Sequence, residues 1–226
     1  MDPSDRKNLL KILLATNLLL LAMYLVTNVI FQSPSWRVKH LFDLDQEYNI
    51  PTWFSTMQLF LVFLISFACA RGAESKALRR GYRLLAAVFL FFSLDETAEI
   101  HESVGRTLGL LLRRHGLIDL RGIWILVYLL AALLLVLLFR KEIVVFLEIP
   151  EGRNLFVAGA AVFVLGGMAS EAIGIYMPQL PKMKQMEIFF EEGLEMLGET
   201  LMLFGLSMRL KPFRRSGVPE LIPPAG

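Results

Sequence analysis

Two runs of carboxylates interrupt an otherwise strongly apolar chain. In the first, FFSLDETAEIHE, Asp95, Glu99 and Glu102 are spaced i, i+4, i+7, with Glu96 and His101 on their flanks. In the second, FFEEGLEMLGET, Glu192, Glu195 and Glu199 are spaced i, i+3, i+7, beside Glu191. On a helix each set shares one face. So many like charges cannot all stay ionised within a few ångströms of one another, so the pattern calls for bound cations, shared protons or basic partners. No Lys or Arg falls inside either stripe; Arg106 and Lys184 stand at the outer margin. An oxygen-rich set suits Mg²⁺, Ca²⁺ or Mn²⁺, and His101 would also admit iron or zinc. The expected ligands of a divalent metal are Asp95, Glu96, Glu99, His101, Glu102, Glu192, Glu195 and Glu199, with Glu171 joining them from an apolar segment at a similar depth.

The elements that must position these groups are membrane helices. The chain has 226 residues, 55% of them hydrophobic, and a mean hydropathy of +0.56, above what an ordinary water-soluble domain carries. Apolar runs at 9–31, 52–70, 122–139 and 155–179 are each near the roughly 20 residues that cross about 30 Å of hydrocarbon. Two more segments, 84–106 and 187–209, are apolar along part of their length and acidic along the rest. The expected fold is an all-α integral membrane bundle of about six transmembrane helices, a single domain over residues 1–212, followed by a short Pro-rich cytoplasmic tail at 213–226. The first run follows Arg6 and Lys7 as a signal peptide would, but its length and the lack of a small-x-small cleavage site make it a retained anchor.

With six spans, fifteen of the 23 Lys and Arg collect on the side that carries both termini, which the positive-inside rule places in the cytoplasm of a cell bounded by the plasma (inner) membrane. The loop around 106–121 runs against this pattern, holding Arg106, Arg113, Arg114 and Arg121; an amphipathic interfacial helix at LGLLLRR would account for them. Counting about 1.5 Å per residue from Arg83 and Lys211 sets Asp95 level with Glu199, Glu99 with Glu195 and Glu102 with Glu192, in the outer half of the membrane. Gln58 and Asn28 are the polar residues expected to supply supporting hydrogen bonds.

Several functions are excluded. The basic residues form short clusters and no continuous face, so nucleic acid is not a partner. A single cysteine, Cys69, leaves no disulfide and no CxxC motif. The partners that remain are the bilayer, a small cation and a lipid-borne substrate. Metal-ion or proton-coupled transport is the leading expectation, and a faint 3+3 inverted repeat, in which each half ends on a Phe-Phe pair and an acidic stripe, is in keeping with it. A metal-dependent hydrolase acting on a lipid is the alternative, although no ExxH motif of the di-iron helical sites occurs. A non-catalytic membrane subunit is the third, drawing on the small-residue seams Gly159–Ala160 and Gly166–Gly167.

Overall fold

The computed structural model describes residues 2–31, 35–115, 122–169 and 181–210. Among the described residues every regular element is helical. Helix α1 (Pro3–Tyr24) opens with proline in its first turn and continues as a wide π-helical stretch, Leu25–Ile30. A short α2 (Trp36–Leu41) leads to a loop that ends at Asn49, whose side chain accepts the Thr52 amide at 3.1 Å and so starts α3 (Ile50–Arg71). Ser75 caps α4 (Lys76–Ala98) in the same way, accepting from the Leu78 amide. Then come α5 (Ile100–Arg114), α6 (Ile123–Leu138), α7 (Arg140–Glu148), α8 (Arg153–Val164) with a π turn at Leu165–Ala169, and α9 (Pro181–Ser207).

Helices α1 and α3 are long and apolar enough to cross a membrane. The run expected at 122–139 becomes α6, then turns through 79° into α7, and the two together make a third candidate only when the bent pair is taken as one span. Helix α6 buries none of its side chains; its leucines suit a lipid surround. The six-span layout is thus met in part, because charges in α4 and α9 break up their apolar windows and residues 170–180 lie outside the described residues, as does the tail.

Packing is organised by two antiparallel pairs, α3 with α4 and α8 with α9, with α9 laid against α1 and α3 and α7 against α4. Leu59, Val62, Met196, Met202, Leu203 and Leu206 form the most deeply buried apolar core. The α8–α9 contact is backbone to backbone. A Cβ at Gly159 would lie 2.6 Å from the Gly198 carbonyl oxygen, and one at Gly198 would lie 2.6 Å from the Phe163 nitrogen. The seam expected at Gly159 therefore serves an approach inside this chain. The start of α1 and the end of α9 meet at one end of the bundle, where Arg6 donates to the Met208 and Leu210 carbonyls, both at 3.5 Å. Arg209 ties α7 and α8 to that end, donating to the Phe146, Ile149 and Glu151 carbonyls at 3.2, 3.1 and 2.9 Å.

One expectation about the acidic helices is overturned. The stripe Asp95–Glu99–Glu102 requires a continuous helix, and the chain breaks at Glu99, which takes a left-handed conformation at φ 50° between α4 and α5. Helix α5 then leaves as a strongly amphipathic segment ending in LGLLLRR and carrying Arg106, Arg113 and Arg114; Arg121 lies outside the described residues. The second stripe lies in α9, which runs unbroken for 27 residues. The halves of the proposed repeat are therefore built differently at their acidic segments.

Candidate functional site

At the end of the bundle away from Arg6 and Arg209, α4, α5, α6, α8, α9 and the 42–49 loop enclose a cavity of about 300 Å³. Asp95 and Glu96 reach it from α4, His101 and Glu102 from α5, Glu191, Glu192 and Glu195 from α9, and Asp45 and Glu47 from the loop. Trp124, Tyr128, Phe92, Phe163 and Ile188 supply apolar wall, and Lys184 is the one lysine among the described residues of the lining. The π turn of α8 shapes one side: Gly166 and Gly167 let the α9 backbone and the Glu195 carboxylate come directly against α8, and a Cβ at Gly167 would collide with Glu195 Oε1.

The break at Glu99 has a local cause. The Asp95 carboxylate accepts the His101 amide at 2.7 Å and lies 3.3 Å from His101 Nδ1 through the same oxygen, so it satisfies an otherwise orphaned amide of α5. Its other oxygen accepts the Tyr128 hydroxyl at 3.0 Å. Asp95 thereby joins α4, α5 and α6, and the His101 ring rests on Trp124 with centroids 4.9 Å apart. Hydrogen bonds to a charged group are worth about 1.5–3 kcal/mol each. Asp95→Ala is expected to raise amide exchange through the first turns of α5 and α6 while leaving α8 and α9 protected; hydrogen-exchange mass spectrometry reads the difference.

The remaining expected ligands divide. Glu96, His101, Glu102, Glu192 and Glu195 face the cavity with Asp95. Glu99 sits at the joint, 3.5 Å from Arg106 Nη2, while Arg106 Nη1 holds Glu102 at 2.7 Å. Glu171 lies outside the described residues. Glu199 is absent from the lining and fully buried behind it: Ser55 Oγ donates to its Oε1 at 2.6 Å and Gln58 Nε2 to its Oε2 at 3.2 Å. Thr200 Oγ1 donates to Gln58 Oε1 at 2.6 Å, and Asn17 Nδ2 donates to Thr200 Oγ1 at 3.0 Å and to the Met196 carbonyl at 3.1 Å. This satisfied network clamps α1, α3 and α9. Gln58 acts in it as expected, whereas Asn28 instead secures the start of the loop by donating to the Lys39 and Phe42 carbonyls at 3.3 and 3.4 Å.

Sequence reasoning missed Asp45, Glu47, Trp124 and Tyr128. The signal for the first two was present in DLDQEYN, but an acidic loop reads as solvated until something folds it inward. Burial lifts both carboxyls above their ordinary range, with Glu99 and Glu102 pushing Glu47 further and Thr52 opposing. Among the described residues Glu47 Oε2 is buried with no hydrogen-bond partner. The carboxylates of the lining are the groups that could hold a cation. Among the described residues no three His, Cys, Asp or Glu side chains converge tightly enough to strip and hold a metal ion.

The fold and site thus define an all-helical bundle with membrane-type helices and an acid-lined cavity at one end. The chain belongs to the family described as "Domain of unknown function (DUF8692)", whose pattern matches residues 12–210 and so takes in every cavity-lining residue. No curated protein and no solved structure matches it.

Proposed function

We propose that this protein is a multi-pass membrane protein, crossing the bilayer about six times with both termini cytoplasmic, whose cavity binds a small hydrated cation for ion- or proton-coupled transport. The observation that carries this reading is the lining of the cavity, which holds eight carboxylates against Lys184 and His101; one of them, Glu47, also has a buried oxygen, Oε2, without a hydrogen-bond partner among the described residues. An unsatisfied buried acceptor is costly, and a cation with its water shell satisfies several such oxygens at once. A divalent ion such as Mg²⁺, Ca²⁺ or Mn²⁺ would be held by Glu47, Glu96, Glu192 and Glu195, through water where the carboxylates stand too far apart.

The pH dependence has a definite sign. Because the folded-state pKa values of Asp45 and Glu47 are raised, their protonated forms favour the fold at low pH, and that contribution is lost as pH rises through the raised values. A cation competes with those protons. Mn²⁺ affinity of the purified protein, read by electron paramagnetic resonance, should therefore rise with pH through a range above that of an ordinary carboxylate, and Glu47→Gln should flatten the rise. In proteoliposomes the wild type should pass Mn²⁺ or protons to an entrapped indicator. Absence of binding at every pH would end the cation reading; binding without flux would leave a cation-regulated subunit.

A second reading has one observation in its favour. The Asp95–His101 pair lines the cavity, and a carboxylate that orients an imidazole is the arrangement of a general base. A hydrolase acting on a lipid-borne substrate would turn over in detergent micelles with no gradient, and His101→Gln would abolish that turnover.

A further inference from the structure

At the basic end of the bundle, a cleft of about 330 Å³ opens at the mouth of the α3–α4 hairpin, lined by Phe67, Ala70, Arg71, Arg79 and Arg83. Arg79 and Arg83 are one turn apart on α4, and Arg71 closes α3 opposite them. Arg79 donates to the Ala73 carbonyl at 3.1 Å, and among the described residues none of the three guanidiniums is paired with a carboxylate; the neighbouring Arg80 is the one that turns away to Glu142, at 3.9 Å. Three arginines around one cleft repel one another unless an anion joins them, and the planar fork of arginine matches phosphate oxygens.

Below the arginines the surface turns apolar in a regular way. On α3, Phe60, Leu64 and Phe67 are exposed at i, i+4, i+7, on the face that ends at Arg71. On α4, exposed Ala87 lies one turn below Arg83, and its small side chain leaves a shallow step beneath the arginines. From Arg71 to Phe60 is eleven residues, about 16 Å of helix, close to half of the roughly 30 Å of hydrocarbon. That is the depth of one leaflet. An anionic headgroup above an apolar track one leaflet deep is the shape and charge pattern of a single phospholipid.

We propose that the α3–α4 cleft is a binding site for an anionic phospholipid, its phosphate among Arg71, Arg79 and Arg83 and its acyl chains along Phe67, Leu64 and Phe60 of α3 and over Ala87 of α4. Basic pockets between membrane helices bind anionic headgroups by this combination of charge and depth. The inference rests on α3 lying in a bilayer and is independent of the cation cavity at the opposite end.

Native mass spectrometry of the delipidated full chain tests it. Phosphatidylglycerol should be retained at least tenfold better than phosphatidylcholine, and inorganic phosphate at millimolar concentration should not displace it. Arg71→Gln with Arg83→Gln should bring retention down to the phosphatidylcholine level, whereas Arg113→Gln with Arg114→Gln, which removes the same charge from α5, should leave the preference intact. Equal retention of the two lipids by the wild type would overturn the proposal without recourse to any variant. Equal losses in the two double variants would reduce it to general surface charge, and displacement by phosphate alone would show an anion site with no role for the acyl chains. Mn²⁺ binding is not expected to change in any arm, so failure here and failure of the cation cavity are separate results.

Discussion

Changing Glu192 and Glu195 together to glutamine is expected to lower Mn²⁺ affinity about a hundredfold while the protein still folds. Both residues project from one side of α9 into the cavity, and glutamine keeps the volume and hydrogen-bonding capacity while removing the charge. At an effective dielectric near 20 a unit charge within about 4 Å of another is worth several kcal/mol before desolvation is subtracted, so a net loss of about 1.4 kcal/mol, or tenfold, for each carboxylate is a restrained expectation. Thermal stability without cation should hold or rise, because like charges have been taken out of a confined space. Flux in proteoliposomes should fall with binding. The same substitutions at Glu99 and Glu102 should cost far less, since Arg106 already holds that pair at the rim. Unchanged Mn²⁺ affinity in the α9 double variant would remove α9 from the site.

Gly198→Val should destabilise the protein more than any other single change named here. The added Cβ would meet backbone at 2.6 and 2.7 Å, the Phe163 nitrogen and the Gly159 carbonyl oxygen, and neither can rotate away. Helices α8 and α9 would have to separate by about an ångström, which for overpacked interiors costs typically 1–3 kcal/mol and more where backbone is met; a loss of about 3 kcal/mol or more is expected. The consequence extends to the cavity, since Gly166 and Gly167 of the same α8 face bring the wall against Glu191 and Glu195. A matched control comes from the same helix. A Cβ at Gly193 would meet only the Leu21 methyls, both at 3.4 Å, so Gly193→Ala should be neutral or should stabilise by about 0.5–1 kcal/mol through helix propensity. Thermal unfolding in detergent, followed by light scattering and circular dichroism, separates the two. Similar midpoints for both variants would show that the α8–α9 seam is not the constraint.

The acidic segments show how far a periodic pattern reaches. Helical spacing correctly puts Glu192, Glu195 and Glu199 on α9, because that segment continues unbroken through apolar residues that pack on α1, α3 and α8. The same reasoning fails at Asp95–Glu102. Nothing in the local sequence announces a left-handed residue at Glu99, a conformation that is uncommon outside glycine and asparagine; what holds it is the hydrogen bond from the His101 amide back to Asp95 and the Tyr128 hydroxyl arriving from another helix. Spacing also cannot tell Glu195 from Glu199. One turn apart on one face, they differ because Ser55 and Gln58 of α3 close over Glu199, while Gly167 opens the cavity beside Glu195.

By itself the sequence determined that this chain is helical and that it holds apolar helices long enough to cross a membrane. Runs of apolar residues need no partner to declare a helix suited to lipid, and carboxylates interleaved with them mark where partners must be found. Only the tertiary structure decided which carboxylates share a space. The inward fold of the 42–49 loop delivers Asp45 and Glu47, the break at Glu99 turns α5 out of line with α4, and the α8–α9 seam sets the wall. Each draws on contacts made through the tertiary fold, such as the Tyr128 hydroxyl on Asp95, which leave no trace in local spacing, and so the α9 stripe could be read in advance while the broken stripe at Glu99 and the cavity could not.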